Sequence, residues 1–161
     1  MLVLNDFDTS VRRALTEIDP KWEDYEGIII CGTHSPEKAD IEHQINEIRK
    51  AREDKTPFLG ICFGHQLTAV EYSRNVRGIA DACSSEWGMG TAVVKKLPKL
   101  KVGLYNGESY WNNYEVTIRW ENPENFFTCQ YHPEYQSSKK KPHKLLVSFL
   151  KYAKLASKNR T

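Results

Sequence analysis

TPFLGICFGHQ, residues 56–66, decides the fold. The apolar run TPFLGIC (56–62) reads as a buried strand, and GHQLTAVEYSRNVRG (64–78) reads as a helix that stops near Gly78. Between them stands Cys62, with Gly60 before it and Gly64 after it. A strand, a tight turn and a helix with glycine on both sides of one residue form the pattern of a nucleophile elbow. Side chains at the flanking positions would collide with the adjacent strand and helix. The residue at the turn projects at the carboxyl end of the sheet, where open α/β sheets bind ligands. The helix start supplies unpaired N–H groups and a positive dipole end, which favour a thiolate and can hold an oxyanion. Alone, the pattern fits a packing cysteine equally well. A nucleophile needs a base.

The neighbouring segments set the elbow in a sheet. MLVLN (1–5) reads as a first strand and DTSVRRALTEI (8–18) as a helix capped by Asp8 or Thr9, with Val11, Leu15 and Ile18 at helical spacing. GIIIC (27–31) is an unbroken apolar run suited to a strand covered on both faces. Residues 35–54 read as a helix with Ser35 as cap, Pro36 at its first position, and Ile41, Ile45 and Ile48 as its inner stripe. Strand and helix alternate three times, which predicts a parallel sheet. Then TAVVKKL, KVGLYN, NYEVTIRW and FFTCQYH follow too closely for helical crossovers, so antiparallel pairing is expected among them. A last amphipathic helix is expected over 142–158, with Leu145, Leu146, Phe149, Leu150 and Ala153 inward.

The base is in CQYHPEYQ (129–136). On an extended chain His132 and Glu134 point to the same side, so Glu134 can orient the imidazole. With Cys62 they make a nucleophile, base and orienter. The rival use of these residues is zinc, through Cys62-x-x-His65 and Cys129-x-x-His132. Positions three apart on a strand face opposite ways, which argues against it. Neither a metal nor a cofactor is expected.

Composition narrows the classes. With 40% apolar and 27% charged residues the 161-residue chain reads as one globular domain, 1–161. A net charge of +2 gives no argument for nucleic acid or a membrane surface. The basic stretch KKKPHK (139–144) reads as solvated loop. No apolar run is long enough to span a membrane, and the start of the chain does not read as a signal peptide. Four dispersed cysteines without a Cys-x-x-Cys pair fit free thiols in the cytoplasm.

Residues 56–87, TPFLGICFGHQLTAVEYSRNVRGIADACSSEW, resemble the nucleophile region of class I glutamine amidotransferases, most closely the glutaminase domain of CTP synthase. CQYHPEYQS resembles that domain's His-Pro-Glu segment, GESYWNNYEV (107–116) a segment before it, and YEGIIICGTHSPE (25–37) its central strand and oxyanion loop. The resemblance implies an α/β fold: a mostly parallel central sheet flanked by helices in flavodoxin-like layers, with a small antiparallel β extension. It implies that Cys62 attacks the side-chain amide of glutamine, with His132 as base and then acid and Glu134 behind it. Backbone N–H groups of Gly32 and Phe63 would form the oxyanion hole. Gln66, Glu86, Asn113 and Tyr114 would hold the substrate's amino-acid end.

Departures from the family pattern are equally specific. Thr33 follows Gly32 where a second glycine is usual, which matters if that position needs positive φ. Asn113 stands where the family has an arginine for the substrate carboxylate; losing that contact costs about 1.5–3 kcal/mol. His34, Arg119 and Lys95 are the candidate replacements. DPKWEDYE (19–26) bridges an interval where the family has another strand, and no synthase domain is expected within these residues. Two functions follow. One is a stand-alone Cys-His-Glu amidohydrolase acting through a thioester on glutamine or a γ-glutamyl amide, with a synthase partner to receive ammonia or a second copy as associate. The other is a non-catalytic binding or regulatory module on the same fold. The retained Cys62, His132 and Glu134 favour the enzyme.

Overall fold

The isoleucine triplet sets the layers. The computed structural model describes residues 1–33, 35–105 and 108–160, with side chains outside 99–113. Its elements run β1 (Leu2–Leu4), α1 (Ser10–Ile18), β2 (Ile28–Ile30), α2 (Ile41–Asp54), β3 (Phe58–Ile61), α3 (Phe63–Asn75), β4 (Ala82–Ser84), β5 (Thr91–Tyr105), β6 (Glu108–Val116), β7 (Phe126–Cys129) and α4 (Lys144–Asn159). Side chains alternate faces along a strand. Ile28 and Ile30 therefore pack with Ile45, Ile48, Leu67 and Val70 of α2 and α3. Ile29 packs on the other face with Val11 and Leu15 of α1 and Leu146, Phe149 and Leu150 of α4. Helices cover both faces, which is why β2 and β3 are apolar throughout.

The main sheet has the order β1-β2-β3-β7, and all its pairings are parallel. This corrects one expectation: FFTCQYH does not join the antiparallel pieces. Its strand lies beside β3, because the excursion from Asn75 to Phe126 is long enough to return the chain to the same end of the sheet. TAVVKKL and residues 101–105 of KVGLYN belong to one strand, β5, which pairs antiparallel with β6 and parallel with the unforeseen β4.

The helix expected from Ser35 is also divided. Pro36–Lys38 form a single 3-10 turn, Ala39 is extended, and α2 begins after Asp40, whose carboxylate accepts the His43 N–H at 3.1 Å. An Asp cap outcompetes Ser35, whose own N–H goes to the Thr33 hydroxyl at 3.0 Å. In α1 the carboxylate of Asp8 takes both the N–H and the hydroxyl of Ser10.

DPKWEDYE contains one 3-10 turn, Trp22–Asp24, and Trp22 is buried with its indole N–H on Thr16. The three steps β1→β2→β3→β7 run in the same direction across the sheet. α1 lies on one face, whereas α2 and α3 lie on the other. The first crossover therefore has the opposite hand to the next two. Parallel crossovers are almost always right-handed, so the short first connection is the exception. No described helix is long and apolar enough to cross a membrane.

Candidate active site

Cys62 sits at φ 54°, ψ −98°, between β3 and α3. A side chain in that region costs on the order of 1–3 kcal/mol and persists only where its surroundings over-determine it. Here they do. The Cys62 N–H donates to the Cys129 carbonyl at 2.9 Å, and its own carbonyl accepts the Gln66 N–H at 3.1 Å. A Cβ on Gly64 would stand 2.3 Å from the Ile30 oxygen, and one on Gly60 would meet the Gly64 carbonyl carbon at 2.9 Å. Both glycines are sterically required, as the sequence implied. All four cysteines are free, and Cys62 alone is not buried. Burial, with the Asp6 and Glu134 charges, pushes the Cys31 thiol up to about 12. Burial likewise raises Cys129. α3 begins at Phe63, so the Phe63 N–H belongs to its first-turn donors.

His132 leaves β7 three residues past the pairing of Ile61 with Cys129. Its Nδ1 lies 2.6 Å from Glu134 Oε1. The sequence reading placed both side chains on an extended chain. Instead Pro133–Gln136 form a 3-10 turn after His132, and the turn brings the carboxylate back to Nδ1 of the ring. Glu134 is 3% exposed, and its Oε2 has no hydrogen-bond partner among the described residues. Arg13 of α1 donates to the Glu134 carbonyl at 2.9 Å and ties the turn down. Tyr135 stacks on the imidazole and donates its hydroxyl to Asp8. Burial opposes the charge on His132, but the neighbouring Cys62 and Glu134 outweigh it, raising the imidazole to about 10. With Nδ1 on Glu134, Nε2 is left for the thiol.

Gly32 follows β2 and faces this pair. A Cβ there would lie 2.8 Å from His132 Cε1 and 3.2 Å from Cys62 Cβ. Glycine is needed for close approach rather than for a special φ. Thr33 is not strained either: the described non-glycine residues with positive φ are Asn5, Lys55 and Cys62. His34 lies outside the described residues.

The expected amino-acid-binding residues are gathered less completely. Gln66 is buried, and its amide N–H reaches Gln130 at 3.3 Å. Gln130 in turn donates to Cys62 Sγ at 3.6 Å. The sequence reading missed Gln130, although it sits two residues before His132 on the run leaving β7. Glu86 lies in the turn after β4, its N–H on Ser84 Oγ. Burial and the Glu86 charge raise the Tyr114 phenol. The side chain of Asn113 lies outside the described residues. Lys95 is matched with Glu115 across the β5–β6 ladder.

A cavity of about 400 Å³ opens at Cys62. Gly32, Cys62, His132 and Glu134 border it together with Asp8 and Lys38, whereas Gln66, Glu86 and Tyr114 do not. A thiol, an imidazole held by a buried carboxylate, and N–H donors at a helix start suit acyl transfer. His65, beside the elbow, bonds Thr128, and burial lowers it to about 4.

The model of the glutamine amidotransferase class-I family matches residues 2–109, which include the elbow and end before His132. A CTP synthase of Methanospirillum hungatei is 46% identical over 99 residues, covering 55% of this chain and 18% of that protein. A CTP synthase of Clostridium beijerinckii is 32% identical over 187 residues, covering 81% of this chain and 34% of that protein. The chain thus spans about a third or less of these curated relatives. The solved glutaminase domain of Trypanosoma brucei CTPS with bound acivicin matches in fold at a TM-score of 0.71 and 19% identity, over 96% of this chain and 92% of that one.

Proposed function

The chain belongs to the class I glutamine amidotransferase family, and on that premise we propose that it is a CTP synthase-like glutaminase domain. It hydrolyses the side-chain amide of glutamine or a related γ-glutamyl amide. The observation that carries this reading is the 2.6 Å contact of His132 with buried Glu134, in an imidazole packed against Gly32 beside Cys62.

The Cys62 thiolate attacks the amide carbon. The N–H groups of Phe63 and the Gly32 loop take the developing oxyanion. His132, kept protonated by Glu134 and the thiolate, gives its proton to the departing nitrogen. A γ-glutamyl thioester remains on Cys62. Water then enters, His132 accepts its proton, and the acid leaves as the thiol is restored. Cys31 and Cys129 are too buried and too weakly acidic to replace Cys62. Gln66, Glu86, Tyr114 and Asn113 are proposed for the amino-acid end of the substrate, and a synthase partner for the ammonia.

Ammonia release from glutamine, with wild type and Cys62→Ala, tests the assignment. Turnover that survives the substitution removes Cys62 as nucleophile. A folded wild type with no turnover, whose Cys62 also resists an electrophilic glutamine analogue, favours a binding module on the same fold.

A further inference from the structure

We infer that the cavity on the His132 side of Cys62 is a leaving-group subsite, shaped for a γ-glutamyl amide whose amine is an α-amino acid. The inference rests on the amidohydrolase reading and names its substrate class.

Position comes first. The thiol has two flanks. On one, Gln130 donates to Sγ and is linked to buried Gln66. On the other, the cavity is bordered by Gly32, His132 and Glu134. The amine that departs must receive its proton from His132, so it leaves on the flank that His132 borders. Size comes next. The space is about 400 Å³, whereas ammonia needs roughly the 30 Å³ of a water molecule. Pockets of a few hundred Å³ are of small-ligand size.

Charge then selects the ligand. Asp8 borders the cavity, but its carboxylate already accepts the Ser10 N–H at 2.9 Å, the Ser10 hydroxyl at 2.7 Å and the Tyr135 hydroxyl at 2.8 Å. Glu134 is bound to His132 through Oε1, and its Oε2, without a hydrogen-bond partner among the described residues, is itself buried. Lys38, in the 3-10 turn after Gly32, also borders the cavity, with no carboxylate in salt-bridge range among the described residues. Asp8 keeps its negative charge but has its oxygens engaged by the neutral Ser10 and Tyr135 donors, so Lys38 is the charged group at this cavity with its donors open to a ligand among the described residues, and it calls for an anion. Phe7, 70% exposed at the same cavity, offers an apolar surface. A carboxylate and an apolar side chain on the carbon that bears the amine nitrogen describe an α-amino acid.

The reaction balances without a further reactant. Sulfur bonds to the γ-carbonyl carbon, the C–N bond breaks, and the His132 proton goes to the amine nitrogen of the departing amino acid. Water hydrolyses the thioester to glutamate and returns the proton to His132.

The test compares γ-glutamyl-phenylalanine, γ-glutamyl-phenethylamide, which lacks only the carboxylate, and glutamine, with wild type and Lys38→Glu. Wild type is expected to cleave γ-glutamyl-phenylalanine with kcat/KM at least tenfold above the phenethylamide and no lower than glutamine. Lys38→Glu is expected to reduce the phenylalanine-to-phenethylamide ratio by tenfold to a hundredfold, the range of a charge-assisted contact. Glutamine turnover with neither amide cleaved, or equal cleavage of both amides, overturns the subsite and leaves the amidohydrolase standing. If no substrate turns over and Cys62 is not labelled by an electrophilic glutamine analogue, both fall.

Discussion

Gly32→Ala separates the chemistry of this site from its stability. The backbone of Gly32 is outside the left-handed region, so alanine is conformationally acceptable. Its methyl, however, would stand 2.8 Å from His132 Cε1 and 3.2 Å from Cys62 Cβ. Carbon atoms rest at about 3.5–4.0 Å, so the imidazole must retreat by about 0.7–1.2 Å. Cys62 cannot yield instead, because its backbone is held by Cys129 on β7 and by Gln66 on α3. The ring can move outward, since the His132 side chain is 29% exposed. That motion opens the gap to the thiol or lengthens the 2.6 Å contact with Glu134. A misplacement of this size costs about a hundredfold in rate. Because the ring escapes towards solvent, the loss in stability is about 1 kcal/mol, or a fall in Tm of about 2–4 °C. Ammonia release under saturating and limiting glutamine, beside thermal melting, measures both. The fall is expected in kcat rather than in KM. Activity within threefold of wild type in a folded Gly32→Ala protein refutes the placement of His132 over Gly32.

Four further outcomes are expected. Glu134→Gln keeps the shape but removes the charge that supports the imidazolium; kcat falls about a hundredfold or more, and the alkaline limit of activity moves down in a pH–rate profile. In wild type that limit lies well above neutrality, because His132 keeps its proton until about pH 10. Gly64→Ala forces β2 and α3 apart at the Ile30 oxygen and lowers stability by about 1–3 kcal/mol in a denaturant titration. Gln130→Ala removes the donor to Sγ and slows alkylation of Cys62 by iodoacetamide by about three- to tenfold, with no comparable change in Tm. His65 is held neutral by burial, its value lowered to about 4. A depressed histidine contributes full stability above its unfolded value near 6.5 and loses it as pH falls towards 4. The loss is on the order of 3 kcal/mol by pH 4, and acid unfolding of His65→Gln should lack that component.

Local sterics made the elbow legible in the sequence. Gly60 and Gly64 are glycines because backbone atoms stand within 3 Å of where a side chain would begin, and that requirement is fixed by a strand turning into a helix. The buried strands β2 and β3 were legible for a similar reason, since a strand covered on both faces admits little besides apolar residues. His132 and Glu134 were found as a pair, but the geometry that joins them is a turn at Pro133 and not an extended chain. What could not be read depended on distant segments. The placement of β7 in the parallel sheet is decided by where a fifty-residue excursion returns. Asp40 displaced Ser35 as the helix cap through a competition between two acceptable caps. Gln130, Asp8 and Lys38 carry no motif, and they matter only because strand ends from different parts of the chain converge on Cys62.

The pairing of β3 with β7 makes that convergence discrete. Ile61 is matched with Cys129, and the next N–H, that of Cys62 itself, closes the ladder on the Cys129 carbonyl. The distance from the proposed nucleophile to the proposed base is therefore counted in hydrogen-bonded rungs. A slip of one rung would carry His132 along by about 3.3 Å and turn its side chain to the opposite face. No intermediate spacing is available to the backbone, so the two strands either hold the pair in working range or lose it altogether. Gradual tuning of this site by substitution falls to Gly32, Glu134 and Gln130, whose side chains or lack of one adjust the last ångström that the ladder leaves free.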